Sequence, residues 1–178
     1  MQSTSPHPTL PRCTRRYPTG FFSSLFTLHS ALHLKDFPVS VRATVLWSDM
    51  DAYGHVNNAV FFRWFELARM EYLGRCGLIE SYERNQVGAI LHSTSCRFRA
   101  PVFHPDTIEI GTRVTDVADD RFTMAYVARS TARDEIVGEG TAVIVSFDYH
   151  HQRKTSLPVS VRGRIHEMEK GHRNVELA

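Results

Sequence analysis

The chain has 178 residues, 42% of them apolar, enough for one domain with a core and too short for two ordinary ones. Lys and Arg total 21 against 19 Asp and Glu, so the net charge of +2 provides no broad basic field of the kind that grips a nucleic-acid backbone. Three cysteines (Cys13, Cys76, Cys96) without a C-x-x-C pair argue against a disulfide framework or a cysteine zinc cage, and no apolar run approaches the about 18 residues that a membrane-spanning helix needs.

Residues 1–36 form an N-terminal extension of different character. They carry Arg12, Arg15, Arg16 and Lys35 and no acid before Asp36, whereas residues 36–178 hold 17 basic and 19 acidic side chains. Phe22, Leu25, Phe26, Leu28 and Leu32 recur three and four apart, as on one face of a short helix. An acid-free, Arg- and Ser-bearing, amphipathic start is the composition of a mitochondrial transit peptide, so a mitochondrial location is expected, with a cytoplasmic protein bearing a plain tail as the alternative.

Val41, Thr44, Val45, Leu46 and Trp47 favour a strand that stops at Ser48-Asp49. From Asn58 to Cys76 there is no Pro and no interior Gly until Gly74; Asn57 or Asn58 can cap this helix at its start and Gly77 can end it. Its apolar residues spread far beyond the usual stripe, leaving Arg63, Glu66, Arg69 and Glu71 as the polar remainder. Such a helix has to be surrounded. Strand character over 87–99, 107–117, 121–132 and 135–148 supplies the surround, and the short joints at Asp119-Asp120 and Arg133-Asp134 predict that the last three strands run as an antiparallel meander. The expected fold is α+β: one domain over 37–158, a curled antiparallel sheet wrapped around one long central helix, followed by a surface tail, 159–178, with a short helix near 159–170. A single sheet of this kind leaves strand edges open, so at least a homodimer is expected, dimer or tetramer.

The chemistry is concentrated where the first strand passes into the helix, Trp47-Ser48-Asp49-Met50-Asp51-Ala52-Tyr53-Gly54-His55-Val56-Asn57-Asn58. Two carboxylates, a histidine and two asparagines precede a helix start, whose free N–H groups attract anions, including the oxyanion of acyl transfer. A carboxylate held there can attack a carbonyl carbon or activate water. By position alone Asp49 reads as a turn cap or the partner of an arginine, His55 either as a structural hydrogen-bonder or as a group orienting a thioester, and Asn57 and Asn58 as helix caps. Competing motifs fail: His150-His151 point in opposite directions without a ligand beside them, Gly138-x-Gly140 lies inside a strand as a packing feature, His166-Glu167 lacks a second histidine, and there is no G-x-S-x-G elbow. No metal and no cofactor are called for.

The pattern D-x-D-x-x-G-H-V-N-N followed by F-x-x-W-F-E-x-A-R, with Phe98-Arg99-Ala100-Pro101-Val102 and His104-Pro105-Asp106 later, resembles the 4-hydroxybenzoyl-CoA thioesterase family of hotdog-fold acyl-CoA thioesterases over about residues 40–160. The resemblance implies a hotdog fold, hydrolysis of acyl-CoA thioesters to free acid and CoA, and sites completed by a neighbouring subunit. It makes Asp51 the catalytic carboxylate, puts the oxyanion donor at the helix start on or beside Asn58, and adds His55 and, in a supporting place two turns into the helix, Glu66. Where some relatives carry Asn and Glu, this chain has Tyr53 and Ala100. Tyr53, Gly54, Val56 and Asn57 complete the expected substrate-binding set with Arg97 and Arg99, the latter two from the strand arginines (with Arg113, Arg121 and Arg129) that could meet the phosphates of coenzyme A. An acyl-CoA is expected over an acyl-carrier-protein thioester, and a catalytically inactive hotdog acyl-binding or scaffolding module is the alternative function.

Overall fold

The structure, a computed structural model, describes residues 34–172. The amphipathic stretch and the targeting reading of the N-terminal extension lie outside the described residues. In chain order the elements are β1 (Val39–Thr44), α1 (Asn58–Arg75), α2 (Leu78–Asn85), β2 (Val87–Phe98), β3 (Thr107–Val117), β4 (Arg121–Ser130), β5 (Glu135–Asp148), β6 (Arg153–Lys154) and α3 (Val159–Glu169). All pairings are antiparallel, in the order β1-β3-β4-β5-β2, with β6 on β5. The meander is present, and β2, which precedes it in sequence, closes the far side of β5 as an edge strand.

The curled sheet packs on α1 because the helix offers rings where the strands offer room. Phe61, Trp64, Phe65, Ala68 and Tyr72 are buried together with Ile108, Ile110, Phe122, Met124 and Ile144 in one core. Phe65 lies parallel on Tyr126, ring centroids 4.8 Å apart at 16°. The two glycines of β5 are what lets the rings come this close: a Cβ at Gly138 would sit 2.8 Å from Phe61, and one at Gly140 would sit 2.7 Å from the Ser95 carbonyl of the neighbouring strand while colliding with Phe65. The sheet covers only part of α1. Leu67 and Met70, expected in the surrounded helix, are exposed, Met70 in a groove that β2 also lines.

Three elements differ from expectation. β1 ends at Thr44, the partner of Thr107, because β3 begins there; Val45 donates to the Asp106 carbonyl at 2.9 Å and Trp47–Asp49 turn as a short 3-10 segment. α2 was not anticipated; it lies between Gly77, which ends α1 at φ 81°, and β2. α3 is docked where a surface tail was expected. Val161 and Ile165, four residues apart, are buried in the core. Beyond Thr112, β3 has no β1 partner, and a Glu169 carboxylate oxygen accepts both the Val114 N–H and the Tyr72 hydroxyl, each at 2.7 Å. Burial, and then the Glu169 charge, push the Tyr72 hydroxyl far above the usual phenol range, so it stays a donor at any pH the fold meets.

Candidate active site

The loop between β1 and α1 is closed on itself. Met50 and Val56 form an isolated antiparallel bridge, the Asp51 N–H donates to the His55 carbonyl at 2.9 Å, and the Gly54 N–H donates to the Asp51 carbonyl at 3.1 Å, with Gly54 at φ 79° making the turn. The Val56 N–H donates to the Val102 carbonyl at 2.8 Å, which ties the loop to the segment after β2.

The two carboxylates of the loop have separate duties. Asp49 is buried; one of its oxygens accepts the Leu46 N–H at 2.9 Å and the other pairs with Arg63 of α1. It is both the turn cap and the arginine partner that its position allowed. Asp51 is partly open: Oδ1 accepts the Tyr53 N–H at 2.8 Å, and Oδ2 faces His55 Nδ1 at 3.5 Å, beyond hydrogen-bond length. The Tyr53 ring, 87% exposed, stacks on the imidazole at 6.3 Å between centroids.

At the start of α1 the cap is Asn57, whose Oδ1 accepts the Ala59 N–H at 2.9 Å while its carbonyl accepts the Val60 N–H. Those two bonds leave the Asn58 N–H without a protein partner among the described residues. Asn58, His55 and Val56 line a hollow of about 240 Å³ whose apolar walls are Phe61 and Phe98. The loop, the helix start and the end of β2 therefore meet at one place. Truncating the cap, Asn57→Ala, is expected to cost about 1 kcal/mol in urea unfolding; a loss below a few tenths would mean that the Ala59 N–H is satisfied equally well by water.

Other expected residues fall elsewhere. Asp51, Tyr53, Gly54 and Asn57 belong to the loop but do not line the hollow; Asp51 is next to it only through His55, which does. Glu66 is exposed and lines a different groove, between α1, α2 and β2. Arg99 does line the hollow, but its guanidinium is engaged by the buried Glu139 at 2.5 and 2.9 Å, while Arg97 sits across from Glu139 on β2 without reaching the hollow. Arg113 is buried beside Glu169, Arg121 pairs with Asp120 and Arg129 with Glu109, so these three are committed to carboxylates. Phe98 was not singled out as a wall; only its place at the end of a strand of uncertain register could have indicated it. The described cysteines, Cys76 and Cys96, are free, and burial pushes both thiols up to about 11, so neither supplies a thiolate at neutral pH. No group of three His, Cys, Asp or Glu among the described residues is placed to hold a metal ion.

The family model of the thioesterase-like superfamily matches residues 45–165, which includes the whole loop, α1 and the meander. The chain belongs to the thioesterase-like superfamily. The match is broader than the 4-hydroxybenzoyl-CoA family that the motif resembles. Among solved structures, this superfamily member is similar to a thioesterase from Thermus thermophilus complexed with coenzyme A and Zn, at 29% identity and TM-score 0.67, covering 76% of this chain and 96% of that one. It is also similar to a Pseudomonas aeruginosa protein, at 26% identity and TM-score 0.68, covering 78% and 96%. In sequence it is 20% identical over 121 residues to the long-chain acyl-CoA thioesterase FadM of Escherichia coli (strain K12), 68% of this chain and 92% of that one.

Proposed function

We propose that this thioesterase-like protein hydrolyses acyl-CoA thioesters to the free acid and CoA. The observation that carries the reading is a loop that sets the partly open Asp51 carboxylate against His55, while His55 and Asn58, whose helix-start N–H has no partner among the described residues, line one apolar-walled hollow. The coenzyme A complex of the Thermus thermophilus relative and the acyl-CoA substrate in the name of the Escherichia coli relative support it.

The thioester carbonyl lies against the start of α1, where the Asn58 N–H and the helix dipole receive the negative charge that develops on oxygen. Asp51 Oδ2 is the basic atom: it takes a proton from an attacking water, or itself adds to the carbonyl carbon to form an anhydride that water then opens. In either course the C–S bond breaks, the carboxylic acid forms and CoA leaves as the thiol. His55, facing Oδ2, orients the carboxylate and the thioester. The neighbouring Val56 and the backbone at Tyr53, Gly54 and Asn57 hold the loop, while Arg97 and Arg99, at the end of β2, are cations available to an incoming nucleotide.

The assembly follows from the edge of the sheet. β2 is a 12-residue edge strand, and its Leu91 and the neighbouring Met70 of α1 are exposed. A long open edge flanked by apolar side chains is normally paired. Sedimentation at micromolar concentration is expected to report a dimer or a tetramer, and a monomer would remove the case for edge pairing.

Thiol release from a panel of aliphatic and aryl acyl-CoAs, 4-hydroxybenzoyl-CoA included, tests the function. Turnover of aliphatic substrates, aryl substrates or both fixes the acyl preference. Binding of acyl-CoAs without release of thiol from any of them would leave an acyl-binding module in place of an enzyme.

A further inference from the structure

Two carboxylates stand two residues apart in the loop before α1, and the proposed chemistry uses only Asp51. The bonds that hold Asp51 are local: its N–H donates to the His55 carbonyl, its carbonyl accepts the Gly54 N–H, and its Oδ1 accepts the Tyr53 N–H. A turn bonded only to itself does not set its own place against the helix. That place has to be set from outside the turn.

Asp49 gathers the surrounding elements on one residue. Its carbonyl accepts the N–H of Asn57, the cap of α1, at 2.9 Å. One carboxylate oxygen accepts the N–H of Leu46, just past the end of β1, at 2.9 Å, and the other pairs with Arg63 in the second turn of α1. The Asp49 side chain is 4% exposed and that of Arg63 64%, so the arginine reaches back from an open helix face to a charge sunk in the loop. A buried carboxylate is unfavourable unless hydrogen bonds and a counter-charge replace its lost hydration. A neutral Asn or Ser could cap the turn. The charge is what Arg63 requires.

We propose that Asp49 is a positioning residue for the thioester chemistry: with Arg63 it holds the Asp51 turn against the start of α1, so that the basic oxygen and the oxyanion donor on Asn58 keep a fixed separation. The inference rests on the thioesterase reading. The backbone bond between Asn57 and Asp49 has Asn58 one residue beyond one partner and Asp51 two residues beyond the other, so a shift of Asp49 against α1 is passed to both. Groups that act together on one carbonyl must be held to about 0.5 Å, and a misplacement of about 1 Å can lower the rate about 100-fold. Neither Asp49 nor Arg63 lines the hollow, so their loss acts through Asp51 and not through substrate binding.

The test compares Asp49→Asn, Arg63→Met and the double variant, with Arg75→Met as the control, because Arg75 pairs with Glu71 near the other end of the same helix. Asparagine keeps an oxygen for the Leu46 N–H and loses the charge. In each single variant kcat for acyl-CoA hydrolysis is expected to fall about 10- to 100-fold, with KM within about threefold of the wild type. The double variant should fall no further, as for two groups acting as one unit, and Arg63→Lys, which keeps the charge, should recover part of the loss. Arg75→Met should leave kcat unchanged. Amide hydrogen exchange at Asp51 and Val56 should quicken at least about tenfold in Asp49→Asn while the amides of the meander hold. A kcat for Asp49→Asn within about twofold of the wild type, or losses that multiply in the double variant, overturns the proposal. Exchange that quickens throughout the sheet overturns it too and marks Asp49 as a residue of general stability. A wild-type protein that releases no thiol overturns the thioesterase reading instead; the exchange measurement then decides alone whether Asp49 holds the Asp51 turn, and unchanged exchange there refutes it.

Discussion

Asp51→Asn is expected to lower kcat for acyl-CoA hydrolysis by roughly two to four orders of magnitude, the scale on which loss of a general base or of its nucleophilic equivalent is felt. The substitution is nearly silent for the fold. Asparagine keeps a carbonyl oxygen for the Tyr53 N–H, which is the bond that shapes the turn, and loses the basic oxygen that faces His55. The melting temperature should therefore stay within a few degrees while thiol release falls. Turnover within a factor of about ten of the wild type would move the chemistry away from Asp51.

Phe65→Ala carries the largest expected cost to stability, about 3–5 kcal/mol in urea unfolding. The ring is fully buried, lies parallel on Tyr126 and meets Phe62 edge-on. The hole it leaves is hard to refill, because the strand beneath it is glycine at 140 and a side chain added there would press on the Ser95 carbonyl of the adjacent strand, which is backbone and cannot swing aside. A measured loss below about 1 kcal/mol would mean that the sheet closes over the vacancy, against the packing described for α1.

The strands of the meander were readable in the sequence because their apolar residues alternate and their joints are short, and β3 and β5 begin and end where the alternation does. α1 was equally plain, with a cap, a terminating glycine and no interruption. What failed were the places where a neighbour decides. Val45, Leu46 and Trp47 look like strand, but a strand continues only while it has a partner, and β3 starts opposite Thr44. Helix α2 is eight residues long and reads as a spacer, its support being the packing of Leu78 and the pairing of Glu80 with Arg84 and Arg164. The docking of α3 rests on Glu169 meeting the uncovered part of β3, a contact between residues 55 apart that no local pattern encodes. At the candidate site the loop motif announced Asp51, His55 and the helix start. It did not announce that Arg99 is already bound to Glu139, or that Arg69, an ordinary polar residue by its spacing, is buried.

The bond from the Tyr53 N–H to Asp51 Oδ1 makes the two oxygens of one carboxylate inequivalent. One is occupied by the chain itself and the other faces His55, so in the proposed mechanism the backbone selects which oxygen reacts. Because the donor is main chain, this bond does not depend on the side chain: phenylalanine, methionine or alanine would each keep the N–H where it is, whatever they did to the ring contact with His55. Proline alone has none to offer. As far as this bond is concerned, position 53 is open to nineteen residues and closed to the twentieth, a constraint that would look like indifference in any survey that happened not to sample proline.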